Sequence, residues 1–444
     1  MQFVIERYKK ILIGIVAGAF IVNLAYALYF RIHPVVDARA YDIIAQNLVA
    51  GNGFREDASI PLAFDQAIVR AGPGYEFFLA GLYRVFGHRL SVVWTVQALL
   101  HALSAYLIFL CCKRIFSDRG MTIGLVAAAI FAFSPDLIEI GAMVLTETLY
   151  LFLTVLVVYF FIRAYQAGGR LSEWFLLGLS LGVGILVRPP LALFVPFILF
   201  AGVERKQWRA VALCAAVMML ILLPWTLRNY AVYHRVVVTT MISDYNLWLG
   251  NIPGATGGQF SEATNPLVAF ASVHGFAPLH AEAIRQFKLF VFGQPVAFMK
   301  LSALRVIRFG SLIRPMGFWF YQHGIGQIIV VVSSAIWIAV VFISGLFGSV
   351  REVWQGGRDR LRVYLVLLAI TCPLPLFLTV VESRYRFPIY PFFVIFGAAA
   401  LVQMWRARWW REYAFLISLA FLGLCTLADA VLNIVKIKEH ISSF

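Results

Sequence analysis

The chain is predicted to be an all-α polytopic membrane protein, with about eleven transmembrane helices and further helices along the outer membrane face. Three observations predict it. Of its 444 residues 61% are hydrophobic and only 13% charged, whereas soluble domains run nearer half apolar and a quarter charged. The apolar residues fall in runs long enough to cross about 30 Å of hydrocarbon as helix. The basic residues, which leave a net charge of +15, form no single patch of the kind that binds nucleic acid. They stand in short clusters between apolar runs, as topology signals do.

The first run, ILIGIVAGAFIVNLAYALYF, follows ERYKK. Ala25-Tyr26-Ala27 imitates a signal-peptide cleavage site. The run exceeds the apolar core of a signal peptide, about 7–15 residues, and reads as an uncleaved span. Spans are expected near 11–30, 91–112, 121–135, 142–165, 174–187, 190–203, 209–225, 327–349, 362–381, 388–404 and 413–434. The pieces 174–187 and 190–203 are short and separated by RPP, so they form either a shallow hairpin or a broken helix. With the N-terminus inside, the inner clusters RYKK, KRIFSDR, RAYQAGGR, ERKQWR, REVWQGGRDRLR and RARWWR carry 18 of the 37 basic residues. The outer loops SPDLIEIG, RPP and ESRYR carry three. This bias puts the C-terminus outside.

Two long segments then face out, 31–90 and 226–326. They divide the chain into a membrane core at 1–225, an extracytoplasmic loop domain at 226–326 and C-terminal spans at 327–444. In the first segment Tyr41, Ile44, Ala45 and Leu48 recur at helical spacing, and Gly51 is a helix stop. A second helix begins at GPGYEFFLAGLYRVFG, where Pro73 suits the first turn. It is too short to span. The second long segment is rich in Gly, Asn and Pro at GNIPGATGG, a flexible turn by pattern, and more helical from Pro278.

The candidate chemistry is acidic and guanidinium. Asp37 follows the first span directly. By local pattern it is equally a helix N-cap and a general base at the outer membrane face. Asp42 lies five residues on, roughly 140° around a helix, so the two carboxylates do not easily share a site. Glu147 stands at an outer span end, where an ionisable group is costly and a functional candidate by default. An interfacial carboxylate reaching water fits the pattern as well. Asp136 and Glu139 read as solvated loop residues. Arg188, Arg228, Arg384 and Arg386 sit at the outer ends of different spans. Each alone reads as a snorkelling side chain. Together they supply the guanidinium groups that grip phosphate oxygens. Cys111, Cys112, Cys214, Cys372 and Cys425 show no disulfide or zinc spacing, and the eight histidines no metal motif. No cofactor is read from the sequence, and a divalent-metal requirement stays open.

In order, D…Y…A..L..G.GF, GPGY.FFLA, SP…TETLYLFL, LVRPPLALFVP, PWTLRNY, YNLWLGNIPGATGG and RYRFPIYPF resemble the GT-C superfamily of membrane glycosyltransferases. More narrowly they are similar to family 39-like proteins, the protein mannosyltransferases and lipid A aminoarabinose transferases. The resemblance runs from about residue 30 to 400. It implies a GT-C fold and a polyprenyl-phosphate sugar donor used at the periplasmic or luminal face. It makes Asp37 the catalytic base. It puts Arg384 and Arg386 on the donor phosphate, with Arg188 and Arg228 as further phosphate candidates. Asp42, Tyr41, Glu147, Tyr75, Asn246 and Asn251, which lie in or beside these motifs, become candidate substrate contacts. The strict Asp-Glu pair of the protein mannosyltransferases is missing, because Ala38 follows Asp37. That weakens the case for a protein acceptor and leaves lipid, glycan and protein acceptors all in play.

The residues read the same way without the family. No dinucleotide-binding fingerprint is present, and the candidate acids face away from the nucleotide pool. A lipid-phosphate leaving group needs no general acid. One carboxylate and several cations complete the inventory, and direct displacement would invert the anomeric carbon. A lipid-linked saccharide flippase would carry its site near the bilayer midplane, often between repeats, and neither sign is present. A polysaccharide polymerase or ligase shares the outer arginines and remains the other alternative.

Overall fold

The computed structural model describes residues 2–117, 119–258, 265–313, 324–356, 359–404 and 412–434. The inner cluster RARWWR and parts of both KRIFSDR and REVWQGGRDRLR lie outside them, as do two stretches of the second long segment. The described chain is helical throughout, with no strand among the described residues. Helix α1 spans Gln2–Phe30. Two short helices follow, α2 (Asp37–Ala50) and α3 (Pro73–Phe86). Then come α4 (Leu90–Ile115), α5 (Gly120–Ala132), α6 (Pro135–Gly141) and α7 (Glu147–Gln166). Next are α8 (Leu171–Val187), α9 (Val195–Glu204) and α10 (Trp208–Tyr233). The second long segment folds into α11 (Ile242–Gly250), α12 (Pro266–His274), α13 (Leu279–Gly293) and α14 (Pro295–Gly310). The remaining helices are α15 (Ile325–Gly356), α16 (Arg360–Thr371), α17 (Leu374–Leu378), α18 (Tyr390–Met404) and α19 (Tyr413–Leu432).

Among the described residues, eight helices are long and apolar enough to cross a membrane, or up to ten if two bent pairs each count as one span. The expected eleven is not confirmed. The helices on either side of RPP are too short by the same measure. One bent pair, α13 and α14, lies in a segment expected to stay outside the bilayer, and its axes turn by 106°. The other pair, α5 and α6, explains a boundary error. The span expected from 142 starts only at Glu147, because the chain breaks after Gly141. Asp136 and Glu139 therefore lie on a short buried helix, at 2% and 1% exposure, and not in a solvated loop. Helix α10 also runs past its expected end at 225 to Tyr233, with Pro224 inside it.

One main core joins α4, α7, α8 and α18, and a second small core joins α11, α12 and α13. The loops at one end of this bundle carry nearly all the candidate residues. Helix α2 stops where Gly51 takes the left-handed conformation and its N–H closes on the Leu48 carbonyl. It is fixed to α3 through Asp42, as described below. Helix α3 docks on the end of α8 through GPG. A Cβ at Gly72 would stand 2.4 Å from the Leu186 carbonyl oxygen, and one at Gly74 2.8 Å from the Val187 nitrogen. Only glycine permits that approach, which brings the residues before α3 to the level of Arg188.

GNIPGATGG is held rather than loose. A Cβ at Gly250 would lie 2.3 Å from the Thr379 carbonyl oxygen. The Arg305 guanidinium, on α14, donates to the carbonyls of Gly250 and Phe377 and to Asn251 Oδ1. Val381 N–H donates to the Gly257 carbonyl at 2.9 Å. The loop is thus stitched to residues 377–382, immediately before the RYR motif.

Candidate active site

Asp37 is the first residue of α2, and the N-cap position belongs to Val36. Val36 is an exposed β-branched residue at φ 51°, a conformation that such residues rarely hold without compensation. The Asp37 side chain makes no capping bond; it points at guanidinium groups. Arg384 Nη2 donates to Asp37 Oδ2 at 2.5 Å. Arg70 Nη1 donates to Oδ1 at 3.4 Å. Arg70 is itself gripped through two nitrogens by Glu56, at 2.6 and 3.0 Å. Burial pushes the Asp37 carboxyl up, but Arg384, Arg70 and Arg188 outweigh it and hold it below the usual carboxylate range. Burial followed by the Asp37 charge pushes the Tyr41 phenol far above its ordinary value, so Tyr41 faces the site as a neutral hydroxyl.

Behind this pair stands Glu147 at the start of α7, 1% exposed. Arg188 Nη2 meets its Oε1 at 3.1 Å, and Arg384 Nε comes within 3.9 Å of the same oxygen. Arg188 lies over the rings of Tyr150 and Tyr385, at 5.8 and 5.6 Å. Three arginines and two carboxylates from five chain segments thus converge. Asp37, Arg70, Arg188 and Arg384 line a cavity of about 1920 Å³, and Glu147 buttresses the guanidiniums from beneath. Beside Arg188 and Arg384 the wall is apolar, with Pro189, Pro190, Pro375, Leu376 and Pro388. Further along it is polar and aromatic, with Gln66, Ser243, Tyr245, Asn246 and Phe64. Among the described residues no three His, Cys, Asp or Glu side chains gather as a metal ligand set.

The structure separates the other candidates. Arg386 turns away from Arg384, because residues two apart on a 3-10 helix lie about 240° around the axis. It donates to the Ser311 carbonyl at 2.7 Å and lies over Phe342. Arg228 packs over Trp225 at 5.0 Å and donates to the Phe54 carbonyl, outside the cavity wall. Asp42 accepts from Tyr83 at 2.6 Å and Gln46 at 2.9 Å and meets His88 at 2.8 Å, locking α2 to α3. The 140° offset from Asp37 has that consequence. The Tyr75 hydroxyl donates to Gln97, whose amide donates to the Gly141 and Met143 carbonyls. Tyr75 therefore braces the link that ends at Glu147. Asn251 donates to the Leu247 and Leu378 carbonyls. Asn246 and Tyr41 line the cavity.

Arg70 and Glu56 escaped sequence reasoning. The available signal was an arginine closing the apolar stretch AIV, just before the glycine pair that α3 uses to dock.

The cavity, with a carboxylate and arginines at its floor, lies in an all-α bundle whose fold is the GT-C fold of membrane glycosyltransferases. The protein is an integral membrane protein. A family model, dolichyl-phosphate-mannose-protein mannosyltransferase, matches residues 70–227. Among solved structures, the archaeal oligosaccharyltransferase AglB from Archaeoglobus fulgidus, in complex with an inhibitory peptide and a dolichol-phosphate, superposes with a TM-score of 0.55 at 16% identity. That match covers 96% of this chain and 56% of AglB. ArnT from Cupriavidus metallidurans bound to undecaprenyl phosphate superposes with a TM-score of 0.50 at 16% identity, over 94% of this chain and 64% of ArnT. The chain thus spans little more than half the length of these neighbours, and at such identities the likeness is one of fold. No curated protein matches the chain by sequence.

Proposed function

We propose that this protein transfers a sugar from a polyprenyl-phosphate donor to an acceptor hydroxyl on a lipid, glycan or protein. The observation that carries the reading is the floor of the cavity, where one ionised carboxylate lies among three guanidiniums. Transfer runs at the extracytoplasmic face, a reading that rests on the bias of basic residues toward the opposite loops. The sugar phosphate sits over Arg188 and Arg384, and the isoprenoid chain leaves along the proline-rich apolar wall. Both solved neighbours were determined with a polyprenyl phosphate bound.

Asp37 Oδ2 takes the proton of the acceptor hydroxyl as its oxygen attacks the anomeric carbon. The bond from that carbon to the phosphate oxygen breaks, and its electron pair stays with the phosphate. Arg188 and Arg384 stabilise the charge that develops there, so no general acid is needed. Attack opposite the leaving group inverts the anomeric centre. The catalytic core is formed by 1–225 and the spans of 327–444, with 226–326 closing the acceptor side.

The experiment is transfer by the purified full chain in lipid nanodiscs. It is offered polyprenyl-phosphate hexoses and pentoses with lipid, glycan and peptide acceptors, and products are read by mass spectrometry. Release of polyprenyl phosphate coupled to a glycosylated product supports the reading. Binding of the lipid without transfer from any donor contradicts it and favours a carrier.

A further inference from the structure

Each oxygen of Asp37 accepts from a guanidinium, which lowers its basicity. Arg384 holds Oδ2 at 2.5 Å and Arg70 holds Oδ1 at 3.4 Å. The other groups facing the pair are Tyr41 on α2, Arg188 at the end of α8, Glu147 on α7 and Tyr385 beside Arg384. Each oxygen keeps a further lone pair, but a guanidinium on it draws off basicity, so release of one hold makes Asp37 a stronger proton acceptor. The two holds are not alike. Arg70 is anchored from behind by Glu56 through two nitrogens. Arg384 lines the cavity next to Arg188 and the apolar wall, where the phosphate would enter.

We propose that Arg384 is shared between base and donor: it latches Asp37 Oδ2 in the empty site and turns to the phosphate when the lipid binds, so that donor binding itself frees the base. Arg70, fixed by Glu56, keeps Oδ1 throughout and holds the carboxylate in place. The inference rests on the proposed donor class and adds an order to it. The acceptor is deprotonated only after the donor is seated, and an empty site is protected from acting on acceptor alone. The lowered proton affinity of Asp37 in the empty site agrees with this.

The latch makes a prediction that a plain base does not. The phosphate must compete with Asp37 for Arg384, so removing the Asp37 charge should tighten lipid binding. The probe is undecaprenyl phosphate, titrated into the full chain in nanodiscs. Asp37→Asn, and Asp37→Ala should Asn fold poorly, is expected to bind about tenfold tighter than wild type, the worth of one charge-assisted hydrogen bond. Asp57 also lines the cavity but bonds to Ser59. Asp57→Asn, the control for loss of charge alone, should stay within about twofold, as exposed screened charges do. If wild type and Asp37→Asn bind equally, or Asp57→Asn tightens as much, the shared arginine is overturned while the donor class stands. If undecaprenyl phosphate does not bind wild type, the donor class and this inference fall together.

Discussion

The two arginines of Ser383–Arg386 provide a matched pair for perturbation, because the structure gives them opposite tasks within one turn. Arg384 sits in the cavity wall on Asp37. Arg386 is 2% exposed and donates to the carbonyls of Ser311 at 2.7 Å and Ser383 at 3.3 Å. Arg384→Lys keeps a positive charge for Asp37, so the fold should tolerate it. It loses the planar fork that grips phosphate oxygens through two nitrogens. One charge-assisted hydrogen bond at stake, about 1.5–3 kcal/mol, corresponds to roughly 10- to 150-fold in undecaprenyl phosphate affinity. Arg386→Ala strands buried carbonyls and leaves a void against Phe342. Its cost should appear as stability, on the order of 2–4 kcal/mol. The assay pairs lipid titration with thermal unfolding of the same nanodisc samples. Arg384→Lys should weaken binding with little change in Tm, and Arg386→Ala should lower Tm while the folded fraction binds normally. The reasoning is refuted if Arg386→Ala loses affinity in molecules that remain folded, or if Arg384→Lys binds and transfers like wild type.

Other outcomes follow from the supporting structure. Glu76 on α3 is fully buried, and neither carboxylate oxygen has a hydrogen-bond partner. Burial pushes it up to about 8. The folded protein therefore holds a proton that the unfolded chain releases near pH 4.5, so stability should fall as pH rises from there toward 8. Glu76→Gln should remove that decline, with a Tm gain over wild type that widens between pH 6 and 8; a constant gain would refute the assignment. Gly72→Ala should dislodge α3 from α8, because the new Cβ would lie 2.4 Å from the Leu186 carbonyl oxygen. The cost is about 1–3 kcal/mol of overpacking, read as lower Tm. Tyr83→Phe, which removes a bond to Asp42, should cost about 1 kcal/mol in stability and leave lipid affinity unchanged.

The membrane class and the two surface helices were legible because apolar run length and helical periodicity are local properties. Gly51 and Pro73 marked their boundaries without ambiguity. The span count was less legible, since hydropathy does not register a bend. The break at Gly141 and the short helices around RPP follow from how segments pack. The same limit governed the site. Asp37 and Glu147 stood out because carboxylates beside spans are rare. Nothing local distinguishes Arg384 from Arg386; their division follows from a 3-10 turn that only packing selects. Arg70 looked like one more basic residue, because its meaning lies in Glu56 and Asp37, 14 and 33 positions away. GNIPGATGG read as loose because its restraints, Arg305 and residues 377–382, come from distant sequence.

The central claim is that Asp37 is the base that activates the acceptor at a lipid-phosphate donor. A single-turnover transfer assay tests it most directly, with the full chain preloaded with a polyprenyl-phosphate sugar and acceptor added last. Asp37→Asn should lower the transfer rate by about 10²- to 10⁴-fold, the usual contribution of a general base, while the loaded lipid stays bound. A variant that keeps more than about a tenth of the wild-type rate on that scale would contradict the claim and leave Asp37 as a structural partner of Arg384.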